Sequence, residues 1–282
     1  MNKTDFRVVT CTNENSTYIN FWPTMAENWK WYGINEVVCG FITERSEDDP
    51  LVKEMRQYGK VILFKPLPGV QPFAQAKTTR MYLASIMQDL FNIVADIDLY
   101  ILNKQETWSK WFSQIEEDKL FCLITGDKGP YKGTNEGKFP MCFTTALSDI
   151  WQQILNPKNL PYEEMFNTFF NIKKYDTYES VNKPNIHFSD ESLLRYLISE
   201  WDSYNSKFGY NHPKCTSVIR DDWQSGRALR RIDRLNFRME LNKLNKGYYY
   251  DSAPVRPFTQ NQDKIKPILD YLNIESNILH NY

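Results

Sequence analysis

Asp96 and Asp98 stand one residue apart at the end of the apolar run Asn92-Ile93-Val94-Ala95. In extended chain, residues two apart share a side, so both carboxylates are expected to face one point. Hard oxygen donors so placed suit a divalent cation, Mn2+ or Mg2+, that keeps open positions for a diphosphate and neutralises its charge. A departing diphosphate needs that stabilisation as its negative charge grows. Chance alone supplies about one Asp-x-Asp in a chain with 18 aspartates. The context therefore carries the inference, because acids in an apolar strand are costly unless paired or metal-bound.

Such acids need a scaffold. Residues 7–11 form a short β-branched run, followed by a polar turn over 12–16 and an aromatic, helix-like segment over 18–31. Further buried-strand runs cover 37–43, 61–64, 92–95 and 120–125. Residues 75–90 place Ala76, Met81, Leu83, Ala84, Ile86, Met87 and Leu90 at helical spacing. Alternating strands and helices imply an α/β fold with a mostly parallel sheet covered on both faces. Ligands of such sheets bind beyond the carboxyl ends of the strands, so the turn after the first strand and the acids after the fourth share one rim. A loop with four glycines covers 126–137, and an apolar run over 139–143 leads to a helix over 146–155. The second half is less regular. It reads as a loop over 167–185, a helix from Ser189 to about 201 with Ser189 as its cap, a helical or mixed stretch over 227–244, an extended segment over 248–258 and a closing helix over 264–272. Residues 1–150 and 151–282 are thus expected to be two halves of one domain.

Composition narrows the function classes. Hydrophobic residues make up 41% of the 282, enough for a proper core, and the net charge of −1 argues against a nucleic-acid binder that relies on bulk positive charge. The longest apolar stretch, 91–102, is interrupted by Asp96 and Asp98 and is too short to span a membrane. The N-terminus lacks the pattern of a signal peptide. The cysteines at 11, 39, 122, 142 and 215 are scattered with no CxxC pair, so zinc is not expected and the compartment is read as reducing: cytoplasm, or host cytoplasm for a viral protein.

The segment Ala76-Lys77-Thr78-Thr79-Arg80-Met81-Tyr82-Leu83, followed by residues 92–102, resembles the core of GT-A-type (DxD) nucleotide-sugar glycosyltransferases. The resemblance extends more loosely through 139–155, His187-Phe188-Ser189-Asp190-Glu191 and 250–257. The expected fold is then GT-A: a Rossmann-like, mostly parallel sheet flanked by helices, with 1–150 binding the nucleotide sugar and 151–282 the acceptor. It implies that Asp98 ligates Mn2+ or Mg2+ and that Asp96 contacts the donor ribose or the metal. Thr10, Thr12 and Asn13 would sit near the base, and Lys77 and Arg80 near the diphosphate. Asp251 becomes a candidate third metal ligand, with His280 behind it. An inverting member needs a carboxylate base, and Asp190, ahead of Glu191, matches the helix-start position. The implied donor is a UDP-sugar, with a pentose such as xylose among the sugars considered; the acceptor is an oligosaccharide or glycoprotein glycan. The lack of a membrane anchor is similar to bacterial or large-DNA-virus members, chlorovirus-like in size and Asn/Lys/aromatic bias.

Other features have blander readings. Arg220, Arg227, Arg230, Arg231, Arg234 and Arg238 form either an anion clamp or an ion-paired face. Trp22, Trp29, Trp31 and Trp223 are either sugar platforms or core. His187 and His212 read as structural. Two rivals remain: a non-catalytic glycan-binding relative, and a haloacid-dehalogenase-like phosphatase, disfavoured because its Asp pair normally ends the first strand.

Overall fold

The computed structural model describes residues 1–125, 141–170, 189–201, 215–220, 226–230, 237–280 and 282. Its strands are β1 (Phe6–Asn13), β2 (Glu36–Ile42), β3 (Lys60–Phe64), β4 (Phe91–Val94), β5 (Tyr100–Ile101), β6 (Leu120–Thr125), β7 (Thr144–Leu147), β8 (Cys215–Arg220), β9 (Ala228–Arg230) and β10 (Asp251–Ala253). Its α-helices are α1 (Trp22–Tyr32), α2 (Pro50–Met55), α3 (Pro72–Ile86), α4 (Lys104–Lys110), α5 (Ser148–Leu155), α6 (Tyr162–Phe170), α7 (Ser189–Trp201), α8 (Phe237–Asn245) and α9 (Gln262–Leu272).

The main sheet has the order β3-β2-β1-β4-β7-β6-β8. Within it β7 runs against its neighbours β4 and β6, and the other pairings are parallel. The α/β class with a mostly parallel sheet flanked by helices is as expected. A second sheet, β5-β10-β9, joins residues 100–101 of the first half to two strands of the half read as less regular, β10 within the segment read as extended. The chain passes from the β1-β2-β3 side to β4 next to β1, so the order reverses there, and the crevice beyond β1 and β4 is where ligands of such sheets bind.

Alternation along each strand builds two cores. Phe6 and Val8 of β1, Val37, Cys39 and Phe41 of β2, and Ile93 of β4 face a cluster with Trp22, Trp29, Phe112 and Tyr250, the residue before β10. Val9, Val38 and Val94 face the other, with Met81, Leu83, Ala84, Trp151 and Leu194. Strands buried on both faces explain the continuous apolar runs that mark them in the sequence.

Several boundaries differ from the sequence reading. β1 continues through Thr12 and Asn13, pairing with Phe41 and Ile42, so the polar turn starts later. α3 starts at Pro72, where a fixed φ suits the first helical position, and ends at Ile86. It ends there because the Asn92 amide takes the carbonyls of Ala84 (3.0 Å) and Met87 (2.8 Å). Residues 167–170 close α6 rather than opening a loop. β7 occupies 144–147, where a helix start was read. Its Thr144-Thr145-Ala146-Leu147 segment is short and has no strong period, so pairing with β4 decides its state. Cys11 and Cys39 are free thiols. Among the described residues no helix is long and apolar enough to cross a membrane.

α3 packs closely on the sheet because Gly40 of β2 leaves room. A Cβ there would lie 2.9 Å from Cys11 Sγ and 2.9 Å from Leu83 Cδ1. Both obstacles are side chains, so Gly40→Ala is expected to destabilise by about 1 kcal/mol, the low end of overpacking. A urea midpoint unchanged from wild type would show that α3 moves aside at no cost.

Candidate active site

β4 delivers the chain to the rim. Ala95 N donates to Val9 O (3.0 Å), and the strand stops at Val94; residues 97 and 98 then turn before β5 begins. The two aspartates therefore do not share a strand face, as extended chain would have had it. The Asp96 side chain keeps 43% of its exposure, and that of Asp98 keeps 6%. Beyond the turn β5 is clamped to α1. The Asn28 amide donates to Ile101 O (2.9 Å) and accepts from Ile101 N (2.7 Å), and Thr24 Oγ1 bonds the Tyr100 hydroxyl at 2.6 Å.

Arg80 of α3 ties the site together. Its guanidinium is buried and makes charged hydrogen bonds to Asp96 Oδ1 and to Asp190 Oδ2. One side chain thus joins α3, the end of β4 and the start of α7. Burial would lower the Arg80 pKa, but Asp190 and Asp96 outweigh it and hold the value above its ordinary level. Lys77 lies one turn earlier on the same helix face. Burial lowers its ammonium pKa, although Asp190, Asp96 and Glu191 pull the other way.

Asp98 has a different partner. Arg256, just past β10, forms an ion pair with its Oδ2. The guanidinium also donates to the Tyr18 hydroxyl (3.1 Å) and lies 5.1 Å from the centre of that ring. Burial raises the Asp98 pKa above the usual carboxylate range; Arg256 opposes this and Asp96 adds to it. No local pattern could have revealed Arg256 or Tyr18 as part of the site, since 238 positions separate these two residues in sequence.

The remaining predicted residues divide. Thr12 and Asn13 end β1 beside the crevice, Thr12 buried and its hydroxyl donating to Asn13 O (3.2 Å). Thr10 is interior to the strand, buried and paired with Cys39, which takes it away from the rim. Asp190 is buried under Arg80, whereas Glu191 is half-exposed at the same helix start. Asp251 does not join Asp96 and Asp98. It is fully buried in β10, paired with Ile101, and among the described residues no three His, Cys, Asp or Glu side chains gather to hold a metal ion. His280 is exposed beside α2, its backbone N bonded to Glu54 Oε1 (2.7 Å).

Arg227 is a structural knot rather than a clamp: it bonds Tyr248 O (2.7 Å), the Tyr250 hydroxyl (2.5 Å) and Glu106 (2.8 Å). Arg238 is exposed. Trp22 and Trp29 are core residues with no exposure, and the Lys104 ammonium lies 4.0 Å over the Trp31 ring. The side chains of Arg220, Arg230, Arg231 and Arg234, with His187, His212, Trp223 and the 126–137 loop, lie outside the described residues.

The donor set at the turn fits a hard divalent cation. Both donors are carboxylate oxygens, and in the structure described each is held by a guanidinium, Asp96 by Arg80 and Asp98 by Arg256. Two carboxylates, with water and phosphate oxygens completing the shell, are a common arrangement for Mg2+.

No family model and no curated protein matches this chain. Among solved structures it is similar to the glycosyltransferase GlyE of Streptococcus pneumoniae TIGR4, at 10% identity and a TM-score of 0.45, over 96% of this chain and 61% of that one. It is also similar to a chain assigned as a glucose-1-phosphate thymidylyltransferase of Bacillus anthracis, in complex with sucrose, at 10% identity and a TM-score of 0.33, over 58% of this chain and 82% of that one. The chain thus spans about three fifths of the length of GlyE. Likenesses this distant leave the chemistry to be argued from the chain's own residues.

Proposed function

We propose that this chain is a glycosyltransferase that moves a sugar from a nucleotide-diphosphate donor, UDP-linked in our reading, to an oligosaccharide or glycoprotein glycan. The observation that carries the reading is the convergence of Asp96, Asp98, Lys77, Arg80 and Arg256 beyond the carboxyl end of β4, at the point where the strand order reverses. Four carboxylates and three cations meet there, counting Asp190 and Glu191.

Asp96 and Asp98 would hold Mn2+ or Mg2+, which when bound supplies positive charge to the leaving diphosphate. Lys77 reaches the same rim and adds a point charge on the phosphate side. Thr12 and Asn13, at the end of β1, offer polar contacts for the nucleoside. Arg80 holds Asp96 in place, with Asp190 as its buried counter-ion. A general base must come within hydrogen-bond reach of the acceptor hydroxyl. Glu191 has surface for that, and Asp190 is covered, so we assign the base of an inverting transfer to Glu191 and positioning to Asp190.

The test is a UDP titration with and without Mn2+, on wild type and on Asp98→Ala and Asp98→Asn. Wild type with Mn2+ is expected to bind at least about tenfold more tightly than in any other combination, a difference of ~1.4 kcal/mol. Equal affinity throughout rejects the reading.

A further inference from the structure

The two guanidinium groups at the turn are not equivalent. Arg80 is buried, and its carboxylate partners lie on two separate elements, β4's end and α7. Its departure would strip Asp190, whose side chain is 3% exposed, of its hydrogen-bonded counter-ion and leave only the more distant charge of Lys77. Arg256 is attached differently. Its side chain keeps 36% exposure, it belongs to the segment after β10, and its other contact is the half-buried Tyr18 after β1. Its carboxylate partner is the more deeply buried of the pair.

A buried carboxylate that stays ionised needs a cation or hydrogen-bond donors against it. Arg256 supplies that charge in the structure described, and it does so on the carboxylate a metal ion would also use. A metal ion arriving alone must displace the guanidinium and leave that charge turned toward solvent. A metal ion arriving with a diphosphate meets a different situation, because the displaced guanidinium then has an anion to pair with. Guanidinium forks suit phosphate oxygens, and Tyr18, against which Arg256 rests, lies just beyond the end of β1 at the same crevice.

We propose that Arg256 is a latch on the donor site: it occupies Asp98 until a divalent cation replaces it, and the released guanidinium then pairs with the donor diphosphate. Metal and nucleotide therefore bind cooperatively, each tightening the other by the same factor. This rests on the donor-site reading above and goes beyond it by making Arg256 a competitor of the metal as well as a ligand of the nucleotide.

The test measures free Mn2+ by electron paramagnetic resonance during titration of the full chain, with and without UDP. The proteins are wild type, Arg256→Gln, Arg256→Lys and Arg56→Gln, the last removing an equal charge from an exposed helix end on α2. In wild type, UDP is expected to tighten Mn2+ binding by about tenfold or more. Without UDP, Arg256→Gln is expected to bind Mn2+ on the order of tenfold more tightly than wild type, as for loss of a partly exposed ion pair that competed for the same oxygen. In the same variant the tightening by UDP shrinks. Arg56→Gln behaves as wild type, and Arg256→Lys falls between. Unchanged or weakened Mn2+ binding in Arg256→Gln, with UDP coupling intact in wild type, overturns the latch alone. A matching gain in Arg56→Gln overturns it too, since bulk charge would then account for the effect. Absence of any Mn2+-dependent UDP binding in wild type overturns the donor-site reading and the latch with it.

Discussion

Arg80→Met is expected to lower the unfolding free energy by about 3–5 kcal/mol, the cost of leaving a buried partner charge uncompensated. The partner that matters is Asp190, because its side chain is 3% exposed, whereas that of Asp96 keeps 43% and can turn to water. Urea unfolding with a linear extrapolation reads this directly, and the m-value should stay constant if only the native state is affected. Asp190→Leu alone should be costly for the mirror-image reason, a buried guanidinium with one partner fewer. The double variant Arg80→Met/Asp190→Leu should recover most of the loss, since a buried ion pair replaced by apolar groups is often near neutral. Additive losses in this cycle would show that the two residues act independently and that Asp190 is no counter-ion. The same cycle explains why Asp190→Ala is a poor probe of catalysis: stability would fall together with activity.

Glu191→Gln is expected to keep Mn2+-dependent UDP binding and to lose transfer by roughly 10^2 to 10^4, the range for removal of a general base. The change preserves volume and takes away only the group that accepts the acceptor's proton. Asp190→Asn, assayed at a temperature where it remains folded, should lose less. Steady-state transfer and UDP affinity, measured on the same preparations, separate the outcomes. Full transfer by Glu191→Gln would remove that residue from the mechanism. A loss confined to Asp190→Asn would return the base role to the residue that the sequence favoured.

Glu191 and Asp190 also show where sequence reasoning stops. Both stand at the start of α7, and a helix start favours acids for capping and dipole reasons alone. Which one is covered depends on the rotation of α7, whose Leu193, Leu194, Leu197 and Ile198 pack into the core while Asp190 meets Arg80. The aspartate pair behaves likewise. Its place after an apolar strand was legible, but the common orientation inferred from extended chain was not kept, because β4 ends at Val94 and the turn sends Asp96 to Arg80 and Asp98 to Arg256. Trp22 and Trp29 carried no sign of being core rather than platform. Their helix α1 carries aromatic residues at both ends, and only the packing of α1 against β2, β5 and the segment after α4 buries them.

By itself the sequence determined the parallel core of the fold. Strands covered on both faces are mostly apolar on both, and β1, β2, β4 and β6 announce themselves that way over a few residues each. It also placed an acid pair at the carboxyl end of a buried strand, the rim where ligands of such sheets bind; that this strand lies beside β1 came only with the fold. Tertiary structure alone decided the rest: the antiparallel β7, the second sheet, the removal of Asp251 from the acid pair, and the two arginines that take one aspartate each. The physical reason is range. Burial and helical or strand period are written in neighbouring residues, whereas an ion pair between distant segments is written nowhere until the chain has folded and burial has made a lone charge too costly to leave unpaired.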